Sequence, residues 1–376
     1  MTSALQDLLD RHVADGTVPG AVASLDTGEP EVAAAGVMSV GGAPMRADAI
    51  VRIASMTKTV TAVAALRLVE AGGLGLDEPV RRWLPELANP QVLISPTAEL
   101  ADTSPAVRPI TLRHLLTNTA GYGMMLTDCP LRRAMVDSEV DTGADPLTVG
   151  ADEWLARLAA LPLAFQPGEG WRYHHCFSVL GILIARVAGR PLADHLANDL
   201  LGPLGLHDTG LWVPDASLAR LPAAYRHTES GPVELEPAGG GFYAGRPPFD
   251  VSHGELVSTL ADYTRFARML ADGGRFDGRP VVSPEHLRLM TSDQVPAAAK
   301  APDSFFPGFW DATGWGFGVG VTTAGARAGR YGWSGGLGTN YFIDPDGTTG
   351  VLLTQVEMGQ RMQTLLEDFH ALPETT

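Results

Sequence analysis

Lysine is nearly absent from this chain of 376 residues. Arginine supplies almost all of its 27 basic side chains, and the two lysines are Lys58 and Lys300. Arginine forms surface ion pairs at least as well as lysine, but its guanidinium cannot lose a proton in a protein. A position that needs an amine able to give up a proton therefore cannot be filled by arginine. The scarcity makes Lys58 a candidate for a chemical role.

Cysteine is equally rare, and long apolar runs are missing. Cys129 and Cys176 form no C-x-x-C pattern, so a disulfide framework is not expected. No run of eighteen or more apolar residues occurs, so no transmembrane helix is expected. The first ten residues have neither the basic nor the apolar region of a secretory signal. These absences predict a cytoplasmic protein with no membrane partner.

Basic stretches are also missing, and the balance of charge is acidic. The net charge is −16 and the pI is about 5.0, which argues against a nucleic acid or an acidic membrane surface as partner. The apolar content of 45% and the charged content of 19% are typical of a globular protein. The length allows one large domain or two smaller ones, and the oligomeric state stays open.

Strand patterns occur at both ends of the chain, and helical patterns lie between them. Residues 20–26, 31–37, 316–321, 339–343 and 349–354 read as strands. We therefore predict an α+β fold, in which an antiparallel sheet is flanked by the N- and C-terminal helices and carries a mostly helical insertion. Residues 1–74 and 241–376 are expected to form the sheet subdomain and residues 75–240 the helical one. The active-site cleft is expected between them.

Ser55 and Lys58 have the spacing of a serine activated by a lysine. A largely apolar helical pattern runs from Ser55 to the glycine pair at 72–73, which is typical of a buried helix. Residues three apart share a helix face, so the hydroxyl and the amine are expected side by side. Burial lowers the pKa of a lysine, and backbone N–H groups at a helix start stabilise an oxyanion.

A second serine, Ser334, lies in the sequence GWSGG at 332–336, which matches the G-x-S-x-G nucleophile elbow. That elbow requires a strand before the serine and a helix after it. The residues that follow, 337–343, are rich in glycine and then strand-like. We therefore expect Ser334 not to be the nucleophile.

Tyr173 is the third candidate for proton transfer. A tyrosine can act as a base only where a nearby cation stabilises its phenolate, and Lys58 could supply that cation. Packing in the core is the alternative for Tyr173. The adjacent His174, His175 and Cys176 invite a metal-site interpretation, but neighbouring side chains point in different directions and no further ligand motif supports it. No metal is expected.

Taken together, these motifs resemble the serine β-lactamase and penicillin-binding protein superfamily. The matching segments occur in the family's order from about residue 5 to 370: SMTK at 55–58, ITLRHLLTNTAGY at 110–122, PGEGWRY at 167–173, LGLHDTG at 204–210, LVSTLADY at 256–263 and YGWSGG at 331–336. The chain most resembles the class C β-lactamase-like branch, and within it the family VIII carboxylesterases and related acyltransferases.

The resemblance implies roles for individual residues. Ser55 becomes the acyl-forming nucleophile, and Lys58 and Tyr173 become a coupled acid/base pair whose resting protonation stays open. The oxyanion hole is expected from the backbone N–H groups of Ser55 and Gly336. The substrate-binding candidates are Trp333, Ser334, Gly335, Tyr122 and His175.

Two departures from the family pattern bear on the substrate. Trp333 stands where β-lactamases carry the lysine of Lys-Thr-Gly, which favours neutral esters over carboxylate-bearing substrates. His175 stands where they carry the asparagine of Tyr-x-Asn, so it is either a pocket residue or a core histidine.

We therefore predict a serine hydrolase that cleaves small carboxylic esters through an acyl-enzyme on Ser55, without a cofactor. The alternatives are an acyltransferase of a biosynthetic intermediate, a β-lactamase or D-amino-acid peptidase, and a non-catalytic binding protein.

Overall fold

The computed structural model describes residues 3–141 and 147–374. The α-helices of this part are α1 (Ala4–Ala14), α2 (Thr57–Glu70), α3 (Leu112–Leu116), α4 (Pro130–Asp137), α5 (Ala151–Ala159), α6 (His175–Ala188), α7 (Leu192–Leu196), α8 (Leu260–Ala271), α9 (Pro284–Met290), α10 (Phe309–Ala312) and α11 (Gln360–Ala371). The strands are β1 (Gly20–Asp26), β2 (Pro30–Gly36), β3 (Val51–Arg52), β4 (Gln91–Leu93), β5 (Thr103–Pro105), β6 (Ala224–Thr228), β7 (Gly231–Glu236), β8 (Val257–Ser258), β9 (Arg275–Phe276), β10 (Arg279–Pro280), β11 (Thr313–Trp315), β12 (Gly320–Thr322), β13 (Tyr331–Gly335), β14 (Thr339–Ile343) and β15 (Thr349–Leu353).

One antiparallel sheet joins the two ends of the chain. Its strand order in the described residues is β11-β12-β13-β14-β15-β1-β2. The N-terminal strand β1 pairs with the C-terminal β15, with Val22 opposite Leu353 and Asp26 opposite Thr349. The predicted α+β class is confirmed, because strands from both ends form one sheet around the helical middle of the chain.

The two faces of this sheet are covered by different helices. Because side chains alternate along a strand, Ala21 and Ala23 of β1 pack with α1 and α11, whereas Val22 packs into the core that contains α2 and α8. Thr59 of α2 also hydrogen-bonds through its hydroxyl to that of Tyr341 on β14, at 2.8 Å. The sheet thereby fixes the position of α2, the helix that begins beside Ser55.

Helix α2 is buried along its first ten residues, as its apolar sequence predicts. It ends where the N–H groups of Gly72 and Gly73 bond back to carbonyls of the last turn, and Gly72 has a φ of +74°. A glycine accepts this left-handed conformation without a steric penalty, which explains the stop at this pair.

The expectation of one strand over residues 316–321 is wrong. Two strands, β11 and β12, flank a reversal in which Gly318 has a φ of +74°. A Cβ at Gly318 would lie 2.8 Å from the Lys58 carbonyl oxygen. The turn therefore packs directly against α2, a long-range contact that a local strand pattern does not contain.

The division into a sheet subdomain and a helical one stays a prediction. Residues 75–240 carry α3 to α7, but also the strand pairs β4–β5 and β6–β7. Within the described ranges, no single helix has the length and apolar character to cross a membrane, and one bent pair, His175–Ala188 with Leu192–Leu201, passes by length and composition only.

Candidate active site

Ser55 and Lys58 lie side by side at the start of α2. Ser55 belongs to a single 3-10 turn, Ala54–Met56, that leads into the helix. The Lys58 Nζ donates a hydrogen bond to the Ser55 Oγ at 3.0 Å. The residue before the serine, Ala54, has a φ of +47°, a conformation that costs a residue other than glycine about 1–3 kcal/mol. The structure thus brings together the pair that the spacing predicted, on a strained turn.

Lys58 is fully buried, and among the described residues no carboxylate lies within ion-pair distance of it. Its amine donates a second hydrogen bond to the backbone oxygen of His253 at 2.5 Å. Burial holds the pKa of Lys58 well below its usual value, and the charge of Glu255 opposes that shift only in part. The neutral amine is favoured, and a neutral amine can take the proton of the Ser55 hydroxyl.

Tyr173 lies just before α6 and is buried against the same lysine. The Lys58 Nζ lies 4.3 Å from the centroid of the Tyr173 ring. The phenol oxygen accepts a hydrogen bond from the Trp333 Nε1 at 2.7 Å. Burial raises the pKa of Tyr173, while hydrogen bonds with Ser55 and Trp333 oppose that rise. The phenol therefore stays protonated at rest, and its ring face rather than its hydroxyl meets the amine.

Strand β13 packs closely against the turn that carries Ser55. A Cβ at Gly335 would lie 2.4 Å from the Ile53 oxygen and 3.0 Å from the Ala54 Cβ, so a side chain at this position would push the strand away. The next residue, Gly336, faces open space. Gly335 therefore lets β13 lie directly against the turn that carries Ser55, and the oxyanion-hole role of Gly336 stays a prediction.

Ser334 is on β13 but has different partners from Ser55. Its Oγ accepts a hydrogen bond from the Asn340 Nδ2 at 2.9 Å, and the Asn340 Oδ1 lies 2.8 Å from the His370 Nε2. The chain continues from β13 into β14. This strand–turn–strand context lacks the helix that a nucleophile elbow requires.

The two remaining candidates, Tyr122 and His175, are both buried. Tyr122 is 3% exposed, and its hydroxyl has no hydrogen-bond partner in the described part of the chain. His175 begins α6 with its Nε2 at 2.9 Å from the Val140 oxygen and its ring stacked on Trp154. These backbone and ring contacts favour the core alternative for His175, and its pocket role stays a prediction. The role of Tyr122 stays a prediction.

The sequence profile of the family described as Beta-lactamase matches residues 5–364. The chain belongs to the β-lactamase family.

Known proteins of this family include esterases. Protein Rv1367c of Mycobacterium tuberculosis is 37% identical over 323 residues, which are 81% of this chain and 76% of that protein. Lovastatin esterase of Penicillium rubens is 30% identical over 318 residues, which are 80% of this chain and 78% of the esterase. Among solved structures, EstCE1, described as a hydrolase with promiscuous acyltransferase activity, superposes with a TM-score of 0.78 at 26% identity and covers 97% of this chain and 96% of its own.

The structure adds two histidines that the family pattern did not indicate. The His174 Nδ1 lies 3.5 Å from the Lys58 Nζ, and the rings of His174 and His253 are 3.8 Å apart between centroids. The alignment with Tyr-x-Asn drew attention to His175, yet His174 is the one that turns toward the lysine. The sequence shows two adjacent histidines, but it does not show the backbone angles at His174 that decide which of the two faces Lys58.

The described residues contain no group of His, Cys, Asp or Glu side chains placed to hold a metal ion.

Proposed function

We propose that this chain is an enzyme, a serine hydrolase that cleaves small carboxylic esters through a covalent acyl-enzyme on Ser55. The observation that carries the proposal is the 3.0 Å contact between the Ser55 hydroxyl and a fully buried lysine. Membership of the β-lactamase family and the 30% identity with lovastatin esterase support an ester as substrate.

In the acylation step, the Ser55 Oγ attacks the ester carbonyl while its proton passes to the neutral Lys58 amine. The ammonium that forms lies over the ring of Tyr173, 4.3 Å from the centroid, where a cation is stabilised by the aromatic face. The backbone N–H groups of Ser55 and Gly336 are proposed to hold the oxyanion of the tetrahedral intermediate.

When this intermediate collapses, the bond from the carbonyl carbon to the alcohol oxygen breaks. The alkoxide takes the proton of the Tyr173 hydroxyl, and the phenolate that remains takes the extra proton of the Lys58 ammonium, so that both groups end neutral. Water then attacks the acyl-enzyme with the same amine as base, and the acid leaves as Ser55 regains its proton. The buried pair thus starts and finishes each half-reaction in the same protonation state.

Trp333 supports a neutral substrate. It occupies the position of the lysine that binds a substrate carboxylate in β-lactamases, and its indole packs against Trp315 and Tyr173 with ring centroids 4.6 and 5.7 Å away. An apolar wall at this place offers no counter-charge to a carboxylate. We therefore place β-lactams and peptide carboxylates below esters as substrates.

Acyl transfer to an alcohol or amine is the second candidate. The similarity to EstCE1, described as a hydrolase with acyltransferase activity, favours it specifically. Both reactions share the acyl-enzyme and differ only in which nucleophile reaches it. Adding an alcohol acceptor and measuring the ratio of new ester to free acid separates the two.

The cytoplasmic location and the lack of nucleic-acid and membrane partners remain predictions of the sequence.

The proposal is tested with a short-chain p-nitrophenyl ester and intact-protein mass spectrometry. The wild type is expected to release p-nitrophenol and to gain one covalent adduct on Ser55 after fluorophosphonate treatment. Ser55→Ala is expected to lose both while keeping the wild-type circular dichroism spectrum. A wild-type protein that forms no adduct would favour the non-catalytic binding protein, and activity lost in Ser334→Ala instead would favour the nucleophile elbow.

A further inference from the structure

His174 has a backbone conformation that only glycine adopts easily. Its φ is +100° and its ψ is −74°, and it stands at the N-cap of α6 without a side-chain capping bond. A residue with a Cβ is strained in this region, and such strain persists where the surroundings enforce it, often at functional sites. The side chain at this position is therefore held in place against a steric cost.

The ring of His174 lies beside both Lys58 and Tyr173. Its Nδ1 is 3.5 Å from the Lys58 Nζ, and its centroid is 5.4 Å from that of Tyr173 and 3.8 Å from that of His253. The residue is partly exposed, whereas Lys58 below it is fully buried. The strained backbone thus directs an imidazole nitrogen at the amine.

The geometry matches the needs of a protonated lysine. An ammonium has three N–H donors and no acceptor. The Ser55 Oγ and the His253 carbonyl oxygen take two of them, at 3.0 and 2.5 Å, and the His174 Nδ1 is the third group within reach. Burial lowers the pKa of His174 well below its usual value, with a smaller effect from neighbouring positive charge, so the ring is neutral and its Nδ1 can accept.

We infer that His174 is a positioning residue that stabilises the protonated Lys58 formed during acyl transfer, by accepting its third N–H. The inference rests on the proposed function. No covalent bond to His174 forms or breaks, because the proton that leaves Ser55 is held by Lys58 until the tetrahedral intermediate collapses and never passes to the imidazole. The titratable groups that act on this place are Lys58 from α2, Tyr173 and His175 around the start of α6, and His253 and Glu255 from the segment before β8.

Two substitutions separate this role from simple packing. His174→Gly removes the acceptor and relieves the strained φ. It is expected to lower kcat at least about tenfold while the Tm stays at or above that of the wild type. A hydrogen bond to the charged form raises a lysine pKa, so its loss should move the acidic limb of kcat/KM to lower pH by about one unit. His174→Asn keeps an acceptor near the Nδ1 position. It is expected to return the acidic limb of kcat/KM to its wild-type pH and to recover most of the wild-type kcat.

Asp277→Gly is the matched control for strain. Asp277 has a φ of +47° in the turn between β9 and β10, so its replacement relieves a left-handed residue outside the site and should leave kcat and the limb unchanged. The inference is overturned if His174→Gly keeps wild-type kcat, if kcat falls without a shift of the limb, or if His174→Asn behaves like His174→Gly. Fluorophosphonate labelling of Ser55 in the wild type tests the proposed function independently. A wild type that is not labelled would contradict the proposed function, whatever the His174 variants show.

Discussion

Ser55 and Ser334 are close neighbours in space, since the turn before α2 and strand β13 meet at Gly335, yet their surroundings differ in kind. The Ser55 Oγ contacts a buried amine that can take a proton. The Ser334 Oγ contacts the Nδ2 of Asn340, an amide that donates a hydrogen bond and cannot act as a base. Ser334 lies in the better-known sequence motif, but Ser55 is the serine whose hydroxyl contacts a group able to take its proton.

The histidine beyond Asn340 does not change this difference. Burial lowers the pKa of His370 to about 3, and its Nε2 faces the Asn340 Oδ1 rather than a serine. An amide between a serine and a histidine holds both in place but does not carry a proton from one to the other. A nucleophile is therefore defined by the group that its hydroxyl touches, and three substitutions test that statement.

Lys58→Arg should have the largest effect. Arginine keeps hydrogen-bond donors at this place, but its guanidinium is permanently charged and cannot lose a proton, so it cannot act as the base. We expect kcat for a p-nitrophenyl ester to fall by about 10³-fold or more. The chain offers a matched control in its second lysine, Lys300, whose amine is ion-paired with Asp293 and contacts no serine in the described residues. Lys300→Arg should keep kcat within about twofold, and a Lys58→Arg enzyme of normal activity would remove the distinction between the two serines.

The sequence predicted those parts of the structure that depend on local patterns. The bounds of β1 are as expected because apolar residues end at a turn, and α2 ends at the predicted glycine pair. The contact between Ser55 and Lys58 follows from their spacing of three residues, although Ser55 lies in the 3-10 turn before α2 and not in the helix itself. These features need no knowledge of distant residues.

Contacts between distant segments could not be predicted in this way. The hydrogen bond from Trp333 to Tyr173 joins residues 160 positions apart, and Gly318 packs on Lys58 although the local pattern predicted a strand. The positive φ of His174 depends on how α6 docks, so sequence reasoning did not indicate that His174 would face Lys58. Family resemblance predicted that the strand carrying Trp333 lies beside the site, but it did not predict the hydrogen bonds that the side chains of this strand make.

The pH dependence of stability is the next test, and its effect should be intermediate. Burial lowers the pKa of Lys58 in the folded state, so between that lowered pKa and about pH 10.4 the unfolded chain binds a proton that the folded one does not. Raising the pH through this window therefore stabilises the wild type relative to Lys58→Met, by up to about 1.4 kcal/mol per pH unit. The measurement is the Tm of both proteins from pH 7 to 10. Parallel curves would mean that Lys58 is charged when folded and is not a ready base.

Ser334→Ala should have the smallest effect. The Ser334 hydroxyl accepts one hydrogen bond from Asn340 and lies on the strand beside the site, so its loss should change KM by less than about tenfold through small shifts of β13. Because no proton acceptor contacts this hydroxyl in the described part of the chain, kcat should stay within about threefold. The steady-state parameters of Ser334→Ala and Ser55→Ala, measured side by side with the same ester, give the result. A loss of kcat in Ser334→Ala comparable to that in Ser55→Ala would show that Ser334 takes part in the chemistry, and the contrast between an amine partner and an amide partner would no longer explain which serine reacts.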